Sequence, residues 1–571
     1  MRTTRFESSP LWRGPGAFVA LAAIGVAVGL LSALPVVRLA FAGLTRGGEL
    51  AVAAAWSLAS SRAALLATQH SLETSLASAA ISLVLGGAVA LVATLWDMPG
   101  RRAFSFLFLL SMMMAPQVAA LAFAGLLGPA SPLLLALDLA PPAGSSNPMR
   151  GAAGIIGVLG LHHAPLAFVV IRAGLARLPR EVAEAAALDG ASRTQTILRV
   201  VLPLTRGHVA AAALLCFASA LGNFGIPAIL GLSSGYLTLP TLIYRRLTSF
   251  GPSVIGDAAS LSLVLVVLAG GSVLAAQRLV SRAPALSSDG RTLDGLWTPG
   301  RAARAAAVFS WFMIVLCTVL PFLSLLGSAL VPSYGMPLSW RTLTADHFVE
   351  VLLRQDVTTR AFRNSLLFAG TAALLCASLA LVLGYALVRR WPRLRATVET
   401  AIELPYAIPG IVLALAAILL LLRPLPLVGI SLYGTGAIIV LAYAARFLPL
   451  AFKPVTASID QLDPAVEEAA ALCGAGALQR LRYVVAPAVA PGVVAGSLMV
   501  FLLAFNELTV SALLWSRGTE TIGVILFSLD EAGLASTAAA VAVLSTLVIA
   551  TVMLVLDRLA PRLPAGSLPW Q

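Results

Sequence analysis

The side chains through which this chain could do chemistry are few and scattered. Its histidines are His70, His162, His163, His208 and His347, its cysteines are Cys216, Cys317, Cys376 and Cys473, and its one lysine is Lys453. The adjacent histidines of "LHHAP" would point about 100° apart on a helix, and no carboxylate or cysteine stands beside them. A packed or pathway-lining role is favoured there over metal ligation. The cysteines show no C-x-x-C spacing, so neither a disulfide framework nor a zinc site is indicated. A phosphate-binding loop needs a lysine behind glycines, in the pattern G-x-x-x-x-G-K-[ST], and Lys453 in "LAFKPVT" has no glycine before it. No G-x-S-x-G elbow occurs, and Asp346, Glu350 and Asp356 alternate with Arg341, Arg354 and Arg360 as on a solvated surface. No catalytic residue, no metal site and no cofactor held by this chain is expected.

The polar feature that does stand out is said twice. "EVAEAAALDGASRTQTILRVVLPL" at 181–204 and "AVEEAAALCGAGALQRLRYVVAPA" at 465–488 align with Glu184 and Glu468 284 residues apart. Each reads as helix, break, helix. Asp463 can cap the second copy with Pro464 in the first helical position, where its missing N–H costs nothing. In the first copy Gly190 ends one helix, and Ser192 with Gln195 makes a capping-box pattern for the next. Gly190 and Gly474 permit the left-handed backbone such a break requires. Alanines 185–187 and 469–471 keep the helices slim, so another protein's surface can approach closely, and Glu181, Glu184 and Asp189 beside Arg177, Arg180 and Arg193 add a charge pattern that can set register. A single loop of this kind would read as an ordinary amphipathic surface helix. Two in matching places favour docking.

The elements that must carry these loops are membrane spans. The chain has 571 residues, 59% hydrophobic and 11% charged, with mean hydropathy +0.94, which suits a bilayer and not water. Backbone satisfaction in lipid leaves helices as the spanning structure for such runs. Spans are predicted at 17–42, 72–96, 104–127, 154–171, 209–230 and 254–277, then at 307–331, 362–388, 397–422, 433–450, 491–515 and 535–556. The fold class is therefore all-α and polytopic, with about 12 transmembrane helices arranged as two parallel six-helix repeats. The first repeat covers 1–280 with its polar loop at 178–204, a polar, turn-rich linker covers 281–306, and the second repeat covers 307–571 with its loop at 462–488. The run at 17–42 is too long for a signal-peptide core and is read as a retained span. Net charge +13 calls for no nucleic acid, because an N-terminus in the cytoplasm puts most of the basic residues on inner loops. Both termini, the linker and both polar loops then lie inside.

Other pieces repeat more faintly. "MAPQVAALA" aligns with "AIPGIVLALA", pairing Pro116 with Pro409; "QHSL" at Gln69 faces "RNSL" at Arg363; "LGNFG" lies opposite "FNELT". The first repeat has an extra outer loop at 128–151. Polar groups inside spans are costly unless they face protein or water, which makes Asn223, Asn506 and Glu507 candidates for lining a pathway, with interhelical hydrogen bonding the equal alternative. The prolines are expected to kink their helices.

Both polar loops match the EAA signature of ATP-binding-cassette importer permeases, through Glu184, Ala185, Ala186, Gly190, Val200, Leu202 and Pro203, and through Glu468, Ala469, Ala470, Gly474, Val484, Ala486 and Pro487. Ala486 stands where Leu is usual, and Cys473 replaces the acid found at Asp189. The chain resembles the fused two-domain, binding-protein-dependent permeases of ferric-iron importers. That resemblance implies a subunit of a bacterial inner membrane whose EAA loops are coupling helices seated in clefts of two cytoplasmic ATPase copies. Glu184, Ala185, Ala186, Asp189 and Gly190 would meet one copy, and Glu468, Ala469, Ala470 and Gly474 the other. ATP and magnesium would be bound by that partner, cargo would arrive on a solute-binding protein at the outer face, and ferric iron is the implied cargo, with thiamine, a phosphonate or a polyamine as alternatives. The competing reading, a twelve-span transporter driven by an ion gradient, needs several intramembrane carboxylates or histidines, and a membrane-embedded enzyme needs a reactive cluster.

Overall fold

In a computed structural model of the protein, the described residues are 25, 29, 34–46, 49–97, 100–142, 144–251, 253–281, 293, 295–297, 300–424, 429–559 and 561. The first repeat opens with α1 (Leu34–Leu44), a hairpin pairing Thr45–Arg46 with Glu49–Leu50, and α2 (Val52–Ala59). It continues through α3 (Arg62–Leu95), α4 (Arg101–Met113), α5 (Pro116–Leu127), α6 (Pro132–Ala136), α7 (Ala152–Leu175), α8 (Arg180–Leu188) and α9 (Arg193–Thr196). A π turn leads into α10 (Leu202–Leu221), followed by α11 (Gly225–Gly231), α12 (Leu239–Leu247) and α13 (Val254–Ser281). The second repeat holds α14 (Arg301–Ile314), α15 (Leu320–Ala329), α16 (Asp346–Val349), α17 (Asp356–Arg389), α18 (Pro392–Ala407), α19 (Gly410–Leu421), α20 (Gly436–Gln461) and α21 (Pro464–Leu472). It ends with α22 (Ala477–Arg480), the π turn Leu481–Val485, which follows two others at Val315–Val319 and Glu350–Arg354, then α23 (Ala486–Phe505), α24 (Ser511–Leu514), α25 (Ile522–Glu531) and α26 (Ala535–Leu559).

The repeat is kept in register to the residue. α3 and α17 are both 34 residues long, offset by 294 positions (62 to 356, 95 to 389). From α8 onward the offset is the 284 already seen between Glu184 and Glu468: α8 matches α21, the π turn Ile197–Val201 matches Leu481–Val485, and α10 matches α23 at both ends. A π turn is a rare backbone insertion, so its recurrence marks a shared device.

Among the described residues ten helices are long and apolar enough to cross a bilayer, and two bent pairs bring the count to twelve. Most predicted spans coincide with these helices, and five differ. The span at 17–42 lies mainly outside the described residues, which show only its end as α1. The spans at 104–127 and 397–422 are each two helices. Ala115 and Ile408, the residues before Pro116 and Pro409, are extended, because the proline ring excludes helical backbone one residue upstream. The result is a sharp break in place of a kink: α18 and α19 meet at 106°. The spans at 209–230 and 491–515 stop early, at Leu221 and Phe505, and each is followed by a short helix and then a bent-back one, α12 or α25. Residues 225–234 and 239–247 are bent by 76°.

The faint "QHSL"/"RNSL" match holds those bent-back helices in place. Ser71 Oγ accepts from the N–H of Leu239 at 2.7 Å, and Ser365 Oγ from Ile522 at 2.9 Å, each satisfying an orphan donor at a helix start. The residue before each serine braces the preceding loop. His70 Nδ1 donates to the Leu237 carbonyl at 2.9 Å, and Asn364 Nδ2 donates to the carbonyls of Gly518 and Glu520 at 2.9 and 3.0 Å.

Small residues let the long helices approach closely. Buried Ser71, Ser75, Ser78, Ser82 and Gly86 form a stripe on α3, much of it against α7, where Ser82 Oγ donates to the Gly160 carbonyl at 2.8 Å. The two repeats interlock as well. Ser324 on α15 donates to the Ala122 carbonyl on α5 at 2.9 Å, and Leu39 of α1 shares a buried cluster with Leu261 of α13 and with Ile411 and Leu415 of α19. Gly86 faces backbone: a Cβ there would fall within contact of the Ala164 oxygen and 2.9 Å from the Phe168 nitrogen. Gly86→Ala is therefore expected to destabilise the protein by about 1–3 kcal/mol. Gly370→Ala, whose Cβ would meet nothing within 4 Å, should be neutral or gain up to about 1 kcal/mol from helix propensity. Thermal unfolding in detergent checks both, and equal midpoints would refute the packing account.

Candidate functional site: the doubled loop and the central seam

α8 and α21 share the same local construction. Asp463 accepts from the N–H of Ala465 at 2.9 Å and Pro464 opens α21. Both helices close with a left-handed glycine, Gly190 at φ +83° and Gly474 at φ +85°. In the first copy Gly190 N–H donates to the Ala187 carbonyl and Ala191 N–H to Ala186; in the second Gly474 N–H donates to Ala471 and Ala475 N–H to Ala470. These paired bonds are the Schellman closure, and a Cβ at either glycine would be strained although it would touch nothing. The Ser192–Gln195 capping box is complete, while in the second copy Gly476 keeps only the arm in which its N–H donates to Gln479 Oε1, at 2.8 Å.

Glu184, Ala185, Asp189 and Gly190 are exposed, as are Glu468, Ala469, Cys473 and Gly474, and Ala186 and Ala470 are half-buried. Arg180 Nε holds Glu184 Oε1 at 2.7 Å across one helical turn. One further matched pair escaped the sequence reading. Leu188 and Leu472 are 89% and 90% exposed at the tips of the two helices. Their signal was present as the identical leucine of "AAALDG" and "AAALCG". The inner faces differ: buried Ala183 in α8 corresponds to buried Glu467 in α21.

The second site lies where the broken helices of the two repeats meet. A Cβ on Gly222, at the end of α10, would sit 3.3 Å from the ring of Pro409. At the related contact Gln117 Nε2 donates to the Asn506 carbonyl at 3.0 Å, a buried bond between the repeats. Asn223 Oδ1 accepts from Ile226 N–H at 3.1 Å and so caps α11. Glu507, at the matched position, accepts from Val510 N–H at 2.8 Å through Oε2 and from the Thr509 hydroxyl through Oε1, while its carbonyl accepts from Tyr443 at 3.3 Å and from Ser511 at 2.6 Å. Asn223 and Glu507 thus serve as helix caps. Asn506 is 4% exposed, and both ends of its amide lack a partner among the described residues. Phe224, Tyr244 and Phe527 cluster across the repeats with ring centroids 5.1–5.9 Å apart.

A cavity beside the first break, lined in part by Met114, Phe123 and His162, measures about 10 Å³, no larger than a single water. A wider cavity of about 220 Å³ lies between α18 and α20, where Lys453 pairs with Glu403 at 2.7 Å and Arg395 with Asp460 at 2.9 Å. His162 and His163 are buried with rings 5.2 Å apart and tilted by 71°. Among the described residues no group of three His, Cys, Asp or Glu side chains is placed to hold a metal ion.

Comparison with known proteins places this architecture. The family described as binding-protein-dependent transport system inner membrane component matches twice, over residues 82–283 and 377–564. A probable ABC transporter permease protein, y4fN, of Sinorhizobium fredii is 28% identical over 586 aligned residues, spanning 100% of this chain and 99% of that one. The Fe(3+)-transport system permease protein FbpB 2 of Haemophilus influenzae is 27% identical over 379 residues, 66% of this chain and 70% of its own. A putative 2-aminoethylphosphonate transport system permease protein, PhnV, of Salmonella paratyphi A is 28% identical over 275 residues, 47% of this chain and 98% of its own. This chain therefore belongs to the binding-protein-dependent transport system inner membrane components, as a multi-pass, fused permease of an ABC importer that carries the family's domain twice.

Proposed function

We propose that α8 and α21 seat two cytoplasmic ATPase subunits, that the pathway runs between the repeats and is shut at the seam of Pro409, Gly222, Gln117 and Asn506, and that the cargo is ferric iron delivered by a solute-binding protein on the opposite face. In this reading both termini and the linker at 281–306 are cytoplasmic, joining permease domains at 1–280 and 307–571. The observation that carries it is the residue-for-residue duplication of an exposed, glycine-closed loop with a bared leucine at its tip. Glu507 supports it too. Its carboxylate is engaged in capping a helix start, which leaves it poorly suited to shuttle protons for an ion-driven transporter. Iron is favoured by the FbpB 2 relative and by the two-domain layout, and the PhnV relative supports a phosphonate as the second cargo.

Three outcomes follow. Gly190→Trp with Gly474→Trp should leave the chain in the membrane but cut ATPase copurification and uptake by roughly tenfold or more, since strain and bulk are added at both seats; normal uptake would end the docking account. Gln117→Leu removes the bond between repeats, worth about 1 kcal/mol, and should raise maleimide labelling of an Asn506→Cys reporter roughly fivefold; unchanged labelling would show that this bond does not hold the seam. Cells lacking the chain should lose uptake of radioactive ferric iron, and loss of 2-aminoethylphosphonate uptake with iron uptake intact would replace iron by the phosphonate.

A further inference from the structure

The two docking helices occupy equivalent places and are held there by different forces. Beneath α21, Glu467 is buried with both carboxylate oxygens engaged: Arg389 Nε donates to Oε1 at 2.8 Å and Tyr385 Oη to Oε2 at 2.9 Å. The same guanidinium reaches the end of α20, where Nη2 donates to the carbonyls of Ile459 at 3.1 Å and Leu462 at 2.6 Å. One side chain thus ties the end of α17, the end of α20 and the docking helix together. Arg480, 8% exposed and without a partner for its Nε among the described residues, adds a second buried guanidinium at the base of α22.

The matching positions of the first repeat carry no charged side chain. By the offsets of 294 and 284, Tyr385, Arg389, Glu467 and Arg480 correspond to Leu91, Leu95, Ala183 and Thr196. Leu95 and Ala183 are buried in one apolar cluster with Leu175 and Leu178, so α8 rests on a greasy bed. The end of the linker completes that bed. Leu293 is buried in the cluster, Trp297 N–H donates to the Leu95 carbonyl at 2.9 Å, and the Trp297 ring lies 4.7 Å from Trp96 and 5.5 Å from the guanidinium of Arg193.

We propose that Arg389, through Glu467 and Tyr385, is a positioning residue that passes movement of the second docking helix to α17 and α20 together, a linkage the first repeat lacks. Apolar contact is non-directional and lets a helix slide or roll on its bed. A charge-assisted bond to a carboxylate, combined with bonds to two helix-end carbonyls, fixes both position and orientation. Displacement of α21 therefore drags both membrane helices, whereas α8 has freedom to reseat. The proposal rests on reading α8 and α21 as ATPase seats.

The test uses the full chain copurified with its ATPase from bacterial membranes, carrying Cys473→Ser and an Asn506→Cys reporter at the seam. The readouts are ATPase retained, ATP hydrolysed, and the change in maleimide labelling of the reporter between nucleotide-free and ATP–vanadate-trapped complexes. Glu467→Ala combined with Arg389→Leu gives the second repeat the residue types of the first and leaves neither partner of the pair charged. It should keep ATPase bound and hydrolysing within about twofold of the parent while the ATP-dependent labelling change falls roughly fivefold or more. Glu467→Ala alone should do the same, Arg389→Lys should recover part of the change, and Arg395→Gln, which breaks the ion pairs to Glu399 and Asp460 and leaves the Arg389–Glu467 pair intact, should keep it within about twofold. A double variant that labels like its parent, or an Arg395→Gln variant that fails equally, overturns the proposal. A parent chain that retains no ATPase would instead overturn the docking reading beneath it.

Discussion

Every interruption of a helix inside a bilayer must have its freed backbone groups satisfied by protein, because no water is there to do it and each orphan costs several kcal/mol. That constraint organises this permease. Its broken helices part at Pro116, at Pro409, at Gly222 and, in the second repeat, at Asn506 and Glu507. At each break a polar side chain from the same repeat or its neighbour supplies the missing partner: Ser71 and Ser365 for the bent-back helices, Asn223 and Glu507 for the short ones, and Gln117 across the repeats. The rare polar residues of the spans are therefore structural: Ser71 and Ser365 act within their own repeats, and Gln117 acts where the two repeats meet.

Duplication with divergence gives the molecule a pseudo-symmetric frame carrying asymmetric fillings. The frame is preserved to the residue from α8 to α10 and from α21 to α23, including both π turns. The fillings differ. One seam contact is a glycine against a proline ring, while its mate is an amide reaching a carbonyl. Of the two matched loop helices, α8 rests on leucine and alanine, while α21 is clamped by an arginine–glutamate pair. Fusion into one chain permits this, since each repeat can specialise once its partner is always present.

Much of the frame was legible in the sequence. Hydrophobic run length revealed the crossings, because a bilayer imposes a length and a polarity on any helix that spans it. The doubled loop revealed the repeat, and its caps could be read residue by residue, since Asp463, Pro464, Ser192, Gln195, Gly190 and Gly474 act through bonds to neighbours only a few positions away. Less legible were the breaks. An apolar run looks the same whether it is one helix or two, so the spans at 104–127 and 397–422 read as continuous although Pro116 and Pro409 mark where each parts.

What only tertiary structure decided are the relations between residues far apart in the chain. Glu467 and Glu468 are adjacent and chemically identical, yet the first is buried against Arg389 and the second is exposed. Nothing local tells that Asn506 lends its carbonyl to Gln117, nearly four hundred residues away, or that a tryptophan in a turn-rich linker stacks against Arg193 of the first polar loop. The sequence alone determined most of the crossings, their duplication and the caps of the doubled loop, because those depend on solvent and on nearest neighbours. The fold decided which faces meet, because close packing of helices is a cooperative outcome of many small fits that no single stretch encodes.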